Sequence, residues 1–145
     1  ALRNSKGRKG DIAMEIRYVA QSDDPLEISN IYESSWKYAY KNIIPQDYLD
    51  SIPKGHWADN INQESRNNLV VIEDGVIIGT ASFCKSRWEE YSDYGEIVSI
   101  YFLPEYIGKG YGSLLLKRCV YGFWRITAEP EAFMKKMVFC VQKCF

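Results

Sequence analysis

Apolar positions recur along the chain with two periods, and the switches between them lay out its elements. From Met14 to Val19 the spacing is near two, with Ile16 and Tyr18 on one face, which predicts a first strand. The period then lengthens, and Ile28, Ile31, Tyr32, Ser35 and Ala39 fall on one side of a helix. Asp24 can cap that helix and Pro25 suits its first turn. Glu27 stands three residues after the cap, where a carboxylate can return a bond to the cap N–H. Ile44-Pro45 breaks the pattern, and Gln46 to Ile52 and His56 to Gln63 predict two short helical pieces, separated by Pro53 and Gly55, that shape a pocket wall.

The second half is more strongly punctuated. Leu69 to Ile72 and Val76 to Phe83 are β-branched stretches separated by Glu73-Asp74-Gly75, and Asp-Gly supplies the positive backbone angles of a tight hairpin. Arg87 to Asp93 is charged and aromatic and predicts a loop. Glu96 to Leu103 is apolar enough for a central strand, which Pro104 ends. Gly108 to Gly112 predicts a turn, and Ser113 to Tyr121 a helix packed on the sheet through Leu114, Leu115 and Val120. There is no internal repeat, low-complexity tract or linker.

Composition narrows the class. With 145 residues, 46% apolar and 26% charged, the chain holds one domain with one sizeable core. A formal charge of −1 gives no field to gather nucleic acid or an anionic membrane, and neither is expected as a partner. The longest apolar stretches, such as Leu114 to Leu116, are too short to span a bilayer. Ala1 to Ala13 is basic with no apolar stretch behind it, so it reads as a disordered leader or cloning remnant ahead of Met14 as the natural start, with 14–145 as the domain. Cys84, Cys119, Cys140 and Cys144 show no CxxC spacing and lie far from the one histidine, His56, so no metal site or disulfide framework is expected. They read as reduced, mostly buried thiols of a cytoplasmic protein.

The chemistry concentrates in one segment. A strand that stops at Pro104 and turns through three glycines into a helix aims successive N–H groups and the positive helix end at one point, which attracts phosphate. Glycine allows the close approach and the unusual backbone angles, and Lys109 can add a charged contact. The P-loop pattern fails, because Tyr111-Gly112 rather than Gly-Lys precede Ser113. The dinucleotide fingerprint fits poorly, since G-x-G-x-G is one residue short and its strand comes late in the chain.

Taken with its strand, the segment from Gly95 to Leu115, GEIVSIYFLPEYIGKGYGSLL, closely resembles the acyl-CoA-binding core of the GNAT acetyltransferases. The resemblance extends upstream through Trp36-Lys-Tyr-Ala-Tyr40, Ile43-Ile-Pro-Gln-Asp-Tyr-Leu49 and the Asp74-Gly75 hairpin, and covers roughly Met14 to Tyr121. It implies a single α/β domain of the α+β type, with a mixed, mostly antiparallel sheet flanked by helices and splayed at the fourth strand. It further implies acetyl-CoA as cosubstrate and an N-acetyltransferase that acts on a primary amine, of a small molecule or a protein, in a ternary complex. The pantetheine arm would pair with backbone at Ile100, Tyr101 and Phe102, and the pyrophosphate would sit on Ile107, Gly108, Lys109, Gly110, Tyr111, Gly112 and Ser113.

Glu96 stands where one branch of that family carries its catalytic glutamate, and half-burial on a strand would raise its pKa, which makes it the base candidate. Glu33, Trp36 and Tyr40 are the substrate-contact candidates, with His56 a weaker one. Ile107 replaces the Gln or Arg that usually opens the family's turn. Ala132 to Phe139 resembles the family's late A-x-x-F-Y helix, with Met134 where the tyrosine acid stands, so no general acid is assigned. The stretch after Trp124 is short for the elements such domains add there. An incomplete sheet predicts an open edge, covered by a second copy of the chain or by Val138 to Phe145 as a last strand. A coenzyme-A-binding or structural module that has lost turnover is the alternative reading, and nucleotide phosphate binding without acyl transfer a third.

Overall fold

The computed structural model describes residues 13–62, 65–127 and 137–138. Strand β1 (Met14–Tyr18) is followed by helices α1 (Pro25–Tyr40) and α2 (Gln46–Ser51), then by β2 (Asn67–Glu73), β3 (Val76–Lys85) and β4 (Gly95–Phe102), helix α3 (Tyr111–Thr127) and the two-residue β5 (Met137–Val138). The sheet order is β1-β2-β3-β4-β5; the first four strands are antiparallel and β5 runs parallel to β4. A single mixed, mostly antiparallel sheet with helices on both faces is the expected fold class.

Local chemistry sets the element ends. The Asp24 carboxylate accepts the Leu26 N–H at 2.9 Å, with Pro25 at the first helical position, so α1 starts where an orphan donor finds a partner. Asp74 and Gly75 both have positive φ, 50° and 81°, the tight hairpin that Asp-Gly predicts.

Alternation assigns the two faces. Leu69, Val71, Ala81, Phe83 and Ile97 meet Leu115, Cys119 and Phe123 of α3, while Val70 packs with Ile28 of α1 on the other face. Ile16 joins the α3-side core and Tyr18 packs its ring against Phe83, the shared face read from the sequence. Each apolar side chain fully buried this way contributes about 1.5–3 kcal/mol.

Three boundaries differ from expectation. Helix α3 begins at Tyr111 rather than Ser113 and runs to Thr127, because Tyr111 packs its ring against Phe102 and Tyr106 and is drawn into the first helical turn. The piece expected from His56 to Gln63 is a single 3-10 turn, Ala58–Asn60. There the Trp57 N–H donates to Ser29 Oγ at 3.2 Å, and its ring stacks on Tyr32, so the loop is anchored to α1 instead of bonding along itself. The last strand expected from Val138 to Phe145 touches the described residues only at Val138, which pairs with Glu96 inside the chain. The leader at 1–12 and the segment around Met134 lie outside the described residues. Among the described residues, no helix is long and apolar enough to cross a membrane.

Candidate active site

The site grows out of an irregularity in β4. Ser82 pairs with Ser99 and Phe83 with Ile97, so Val98 is an extra residue without a partner on β3. The bulge reverses the alternation: Ile97 before it, and Ile100 and Phe102 after it, all face α3. Ser99 and Tyr101 turn instead toward α1, where the Tyr32 and Ser99 hydroxyls lie 3.3 Å apart and the Tyr32 ring packs 4.7 Å from Tyr101.

The same alternation sorts main-chain groups. The Leu103 N–H donates to Ile78 O at 2.9 Å, so odd-numbered residues past the bulge face β3 and Ile100 and Phe102 direct their N–H and C=O toward the outer edge. Of the three residues expected to meet a ligand arm, Ile100 and Phe102 are therefore placed for it, while Tyr101 is turned to β3. On that outer edge the Ser35 hydroxyl of α1 donates to Phe102 O at 2.5 Å. Among the described residues, β4 has a parallel neighbour only at Gly95 and Glu96, so the sheet parts beyond the bulge.

Past Phe102 the chain makes a 3-10 turn at Pro104–Tyr106 and then the glycine turn. Gly108 and Gly110 have φ of 82° and 86°, a region that costs a non-glycine residue roughly 1–2 kcal/mol. A Cβ built on Gly108, Gly110 or Gly112 meets nothing within 4 Å, so the space in front of the turn is open. Gly112 and Ser113 are exposed within the first turn of α3, whose N–H groups have no partner inside the helix. Ile107 is exposed, and Lys109 sets its Nζ 4.8 Å above the Tyr106 ring. The Tyr111 hydroxyl donates to the Glu73 carboxylate and so ties the turn to the β2–β3 hairpin. Its side chain serves the scaffold, which leaves only its main chain toward a ligand. Phosphate chemistry fits this cradle: open space, backbone donors, a helix N-terminus and one adjacent ammonium.

Glu96 lies on β4 just before the bulge and is fully buried. Its Oε1 accepts from Arg87 Nη2 at 2.5 Å and Nε at 3.2 Å; its Oε2 accepts from Arg87 Nε at 3.1 Å and the Arg87 N–H at 3.0 Å. The expectation of a raised pKa is overturned. The Arg87 side-chain bonds hold the carboxyl below its ordinary 4.5, outweighing the opposite push of burial. Arg87 is the residue that the sequence reading missed, although the pairing of Lys85 with Gly95 closes the loop that carries it beside Glu96.

The face of α1 over this region is aromatic. Trp36 packs on Tyr40 at 4.6 Å and on Trp57 at 5.8 Å, and Trp57 stacks on Tyr32 at 5.9 Å. The structure brings Trp36 and Tyr40 together in one wall, and Trp57 joins them from the following loop. His56 is exposed and meets Trp57 edge-on at 4.8 Å. Glu33 is buried: its Oε1 accepts the Gly55 N–H at 2.6 Å and the Ser29 hydroxyl at 3.2 Å. It clasps the Trp57 loop to α1.

Residues 27–128 match the family model described as the Acetyltransferase (GNAT) family. The chain is 34% identical over 101 residues to the uncharacterized N-acetyltransferase YuaI of Bacillus subtilis (strain 168), which covers 68% of this chain; the chain spans 58% of the length of that relative. Its fold is similar to that of the PaiA N-acetyltransferase from Thermoplasma acidophilum in complex with coenzyme A, with a TM-score of 0.59 at 21% identity over 80% of this chain and 72% of the other. It is also similar to a GNAT family acetyltransferase from Brucella melitensis in complex with acetyl-CoA, with a TM-score of 0.53 at 20% identity over 80% and 70% of the two chains.

Proposed function

The chain belongs to the GNAT acetyltransferase family, and from that premise we propose that it is an N-acetyltransferase that moves an acetyl group from acetyl-CoA to a primary amine in a ternary complex. The observation that carries this reading is the junction of β4 with α3, where an outward-facing strand edge at Ile100 and Phe102 leads within six residues to the open turn at Gly108 and Gly110.

Bound acetyl-CoA supplies the thioester carbonyl that the amine attacks. The chain's own residues do the rest. Main-chain groups of Ile100 and Phe102 align the pantetheine arm, and the N–H groups from Gly108 to Ser113, with the Lys109 ammonium, neutralise the pyrophosphate. The wall of Trp36 and Tyr40, braced by Glu33 through the Gly55 loop, confines the acceptor and excludes water. Glu96, ionised, takes a proton from the acceptor ammonium directly or through one water. The amine class is set by the α1 wall and the Arg87 loop, surfaces that vary independently of the fold.

Two measurements test this. Calorimetry should detect coenzyme A binding to the folded chain, and thiol release across a panel of amines should saturate with at least one of them. A folded chain without affinity for coenzyme A overturns the reading. Binding without turnover supports the second reading, a coenzyme-A-binding module with weakened catalysis; the ion pair that reduces the basicity of Glu96 favours it.

A further inference from the structure

We propose that Arg87, on the loop between β3 and β4, is a positioning residue that clamps both carboxylate oxygens of Glu96 and keeps that carboxylate in one orientation for proton removal. The inference rests on the function proposed above and adds to it a residue outside the glycine turn and the acceptor wall.

The clamp is asymmetric. The Glu96 side chain has no exposed surface, while that of Arg87 is 52% exposed, so the buried partner is held by one that reaches in from solvent. The arginine comes from a tied loop: the Ser86 N–H donates to Tyr94 O at 2.9 Å, and the Trp88 N–H to Ser86 Oγ at 3.2 Å. The rings of Tyr91 and Tyr94 meet edge-on at 5.4 Å across it. A planar guanidinium fed from such a loop fixes a carboxylate more tightly than a lysine can, because two of its N–H groups and the residue's main-chain N–H act together.

Without the clamp, burial would favour the neutral acid, and a carboxyl that already carries a proton cannot take one from an ammonium. Among the described residues, the charged and titratable groups acting on Glu96 are few. They are Arg87 itself, the buried Cys84 thiol across the strand pair, and Arg66 just ahead of β2. The neighbour on β5 is Val138, which does not titrate. In the step assigned to Glu96, an acceptor N–H bond breaks, its electron pair stays on nitrogen, and the proton forms an O–H bond on the carboxylate. Arg87 neither gives nor takes a proton.

The test is kcat against pH at saturating acetyl-CoA with an amine that the parent chain acetylates, for the parent, Arg87→Ala and Arg87→Lys. Arg87→Ala is expected to move the acid-side limb up by about one to two pH units and to lower kcat at pH 6 by about 10-fold or more, with Arg87→Lys recovering part of both. The KM for acetyl-CoA should stay within about twofold, because Arg87 lies outside the glycine turn. A limb that coincides with the parent's overturns the inference while turnover leaves the proposed function standing; a folded parent without coenzyme A affinity overturns both. Titration of the Glu96 carboxyl by NMR in carbon-13-labelled protein needs no turnover. Its midpoint should be higher in Arg87→Ala, and an unchanged midpoint also overturns the clamp.

Discussion

The Ser35 hydroxyl on α1 donates to the carbonyl of Phe102 on β4 at 2.5 Å, across 67 residues of sequence. This bond fastens the helix that carries the aromatic wall to the strand edge that feeds the glycine turn, so the two halves of the site share one reference point. Ser35→Ala leaves a buried carbonyl without its donor, and stability is expected to fall by about 1–3 kcal/mol in urea unfolding. Ser35→Thr keeps a hydroxyl there and should lose less; equal losses would remove the bond as the cause.

The three glycines of the turn separate stability from affinity. Gly108→Ala and Gly110→Ala place a side chain at positive φ and should each destabilise by about 1–2 kcal/mol. Gly112 lies inside α3 with open space around its would-be Cβ, so Gly112→Ala should leave stability unchanged or raise it by up to about 1 kcal/mol. Its methyl would nonetheless stand before the first-turn N–H groups, and the dissociation constant for coenzyme A should rise about 10-fold by calorimetry. A Gly112→Ala variant that binds like the parent would move the phosphate away from this turn.

Glu96 gives a signed pH dependence of stability. Its folded pKa is lowered from 4.5 chiefly by the Arg87 side chain, so its stabilising contribution is fully present above about pH 4.5 and is lost as pH falls through the folded value. Unfolding free energy of the parent should decline through that acid window more steeply than that of Glu96→Gln. Parallel curves would mean that the ion pair is not stabilising. The same variant should lose kcat by about 100-fold if Glu96 is the base.

Thiol chemistry should follow burial. Cys119 is fully buried beneath α3 and its thiol is pushed up to about 12 by desolvation; Cys84 is buried and shifted upward for the same first reason. Alkylation at pH 8, mapped by mass spectrometry, should spare both in the folded chain and reach both in denaturant. Modification of Cys119 without unfolding would show that α3 opens locally.

What the sequence announced was local. The Asp24 cap, the Asp74-Gly75 hairpin and the glycine turn each act through neighbours a few residues away, and each occurs where residue chemistry requires it. What it hid was long-range. The bulge at Val98 depends on how β3 and β4 align, and nothing within the apolar stretch from Glu96 to Leu103 marks which residue is extra. The sign of the Glu96 shift depended on Arg87, a residue that in isolation reads as ordinary loop charge. Tyr111-Gly112 looked like the end of a turn because the contacts of Tyr111 with Phe102 and Glu73, which pull it into α3, cross from other elements. Glu33 was read as a surface contact because its partner, the Gly55 N–H, lies 22 residues away.

The unpaired residue at Val98 makes the length of this strand as consequential as its composition. Excising one residue there would restore plain alternation and exchange the two sides of everything downstream: Tyr101 would swing under α3, while Phe102 would be driven up against Tyr32. A one-residue deletion in the exposed stretch from Glu89 to Asp93 carries no such inversion. Length changes in this protein should therefore be tolerated where the chain meets water and forbidden at one spot in the middle of its sheet.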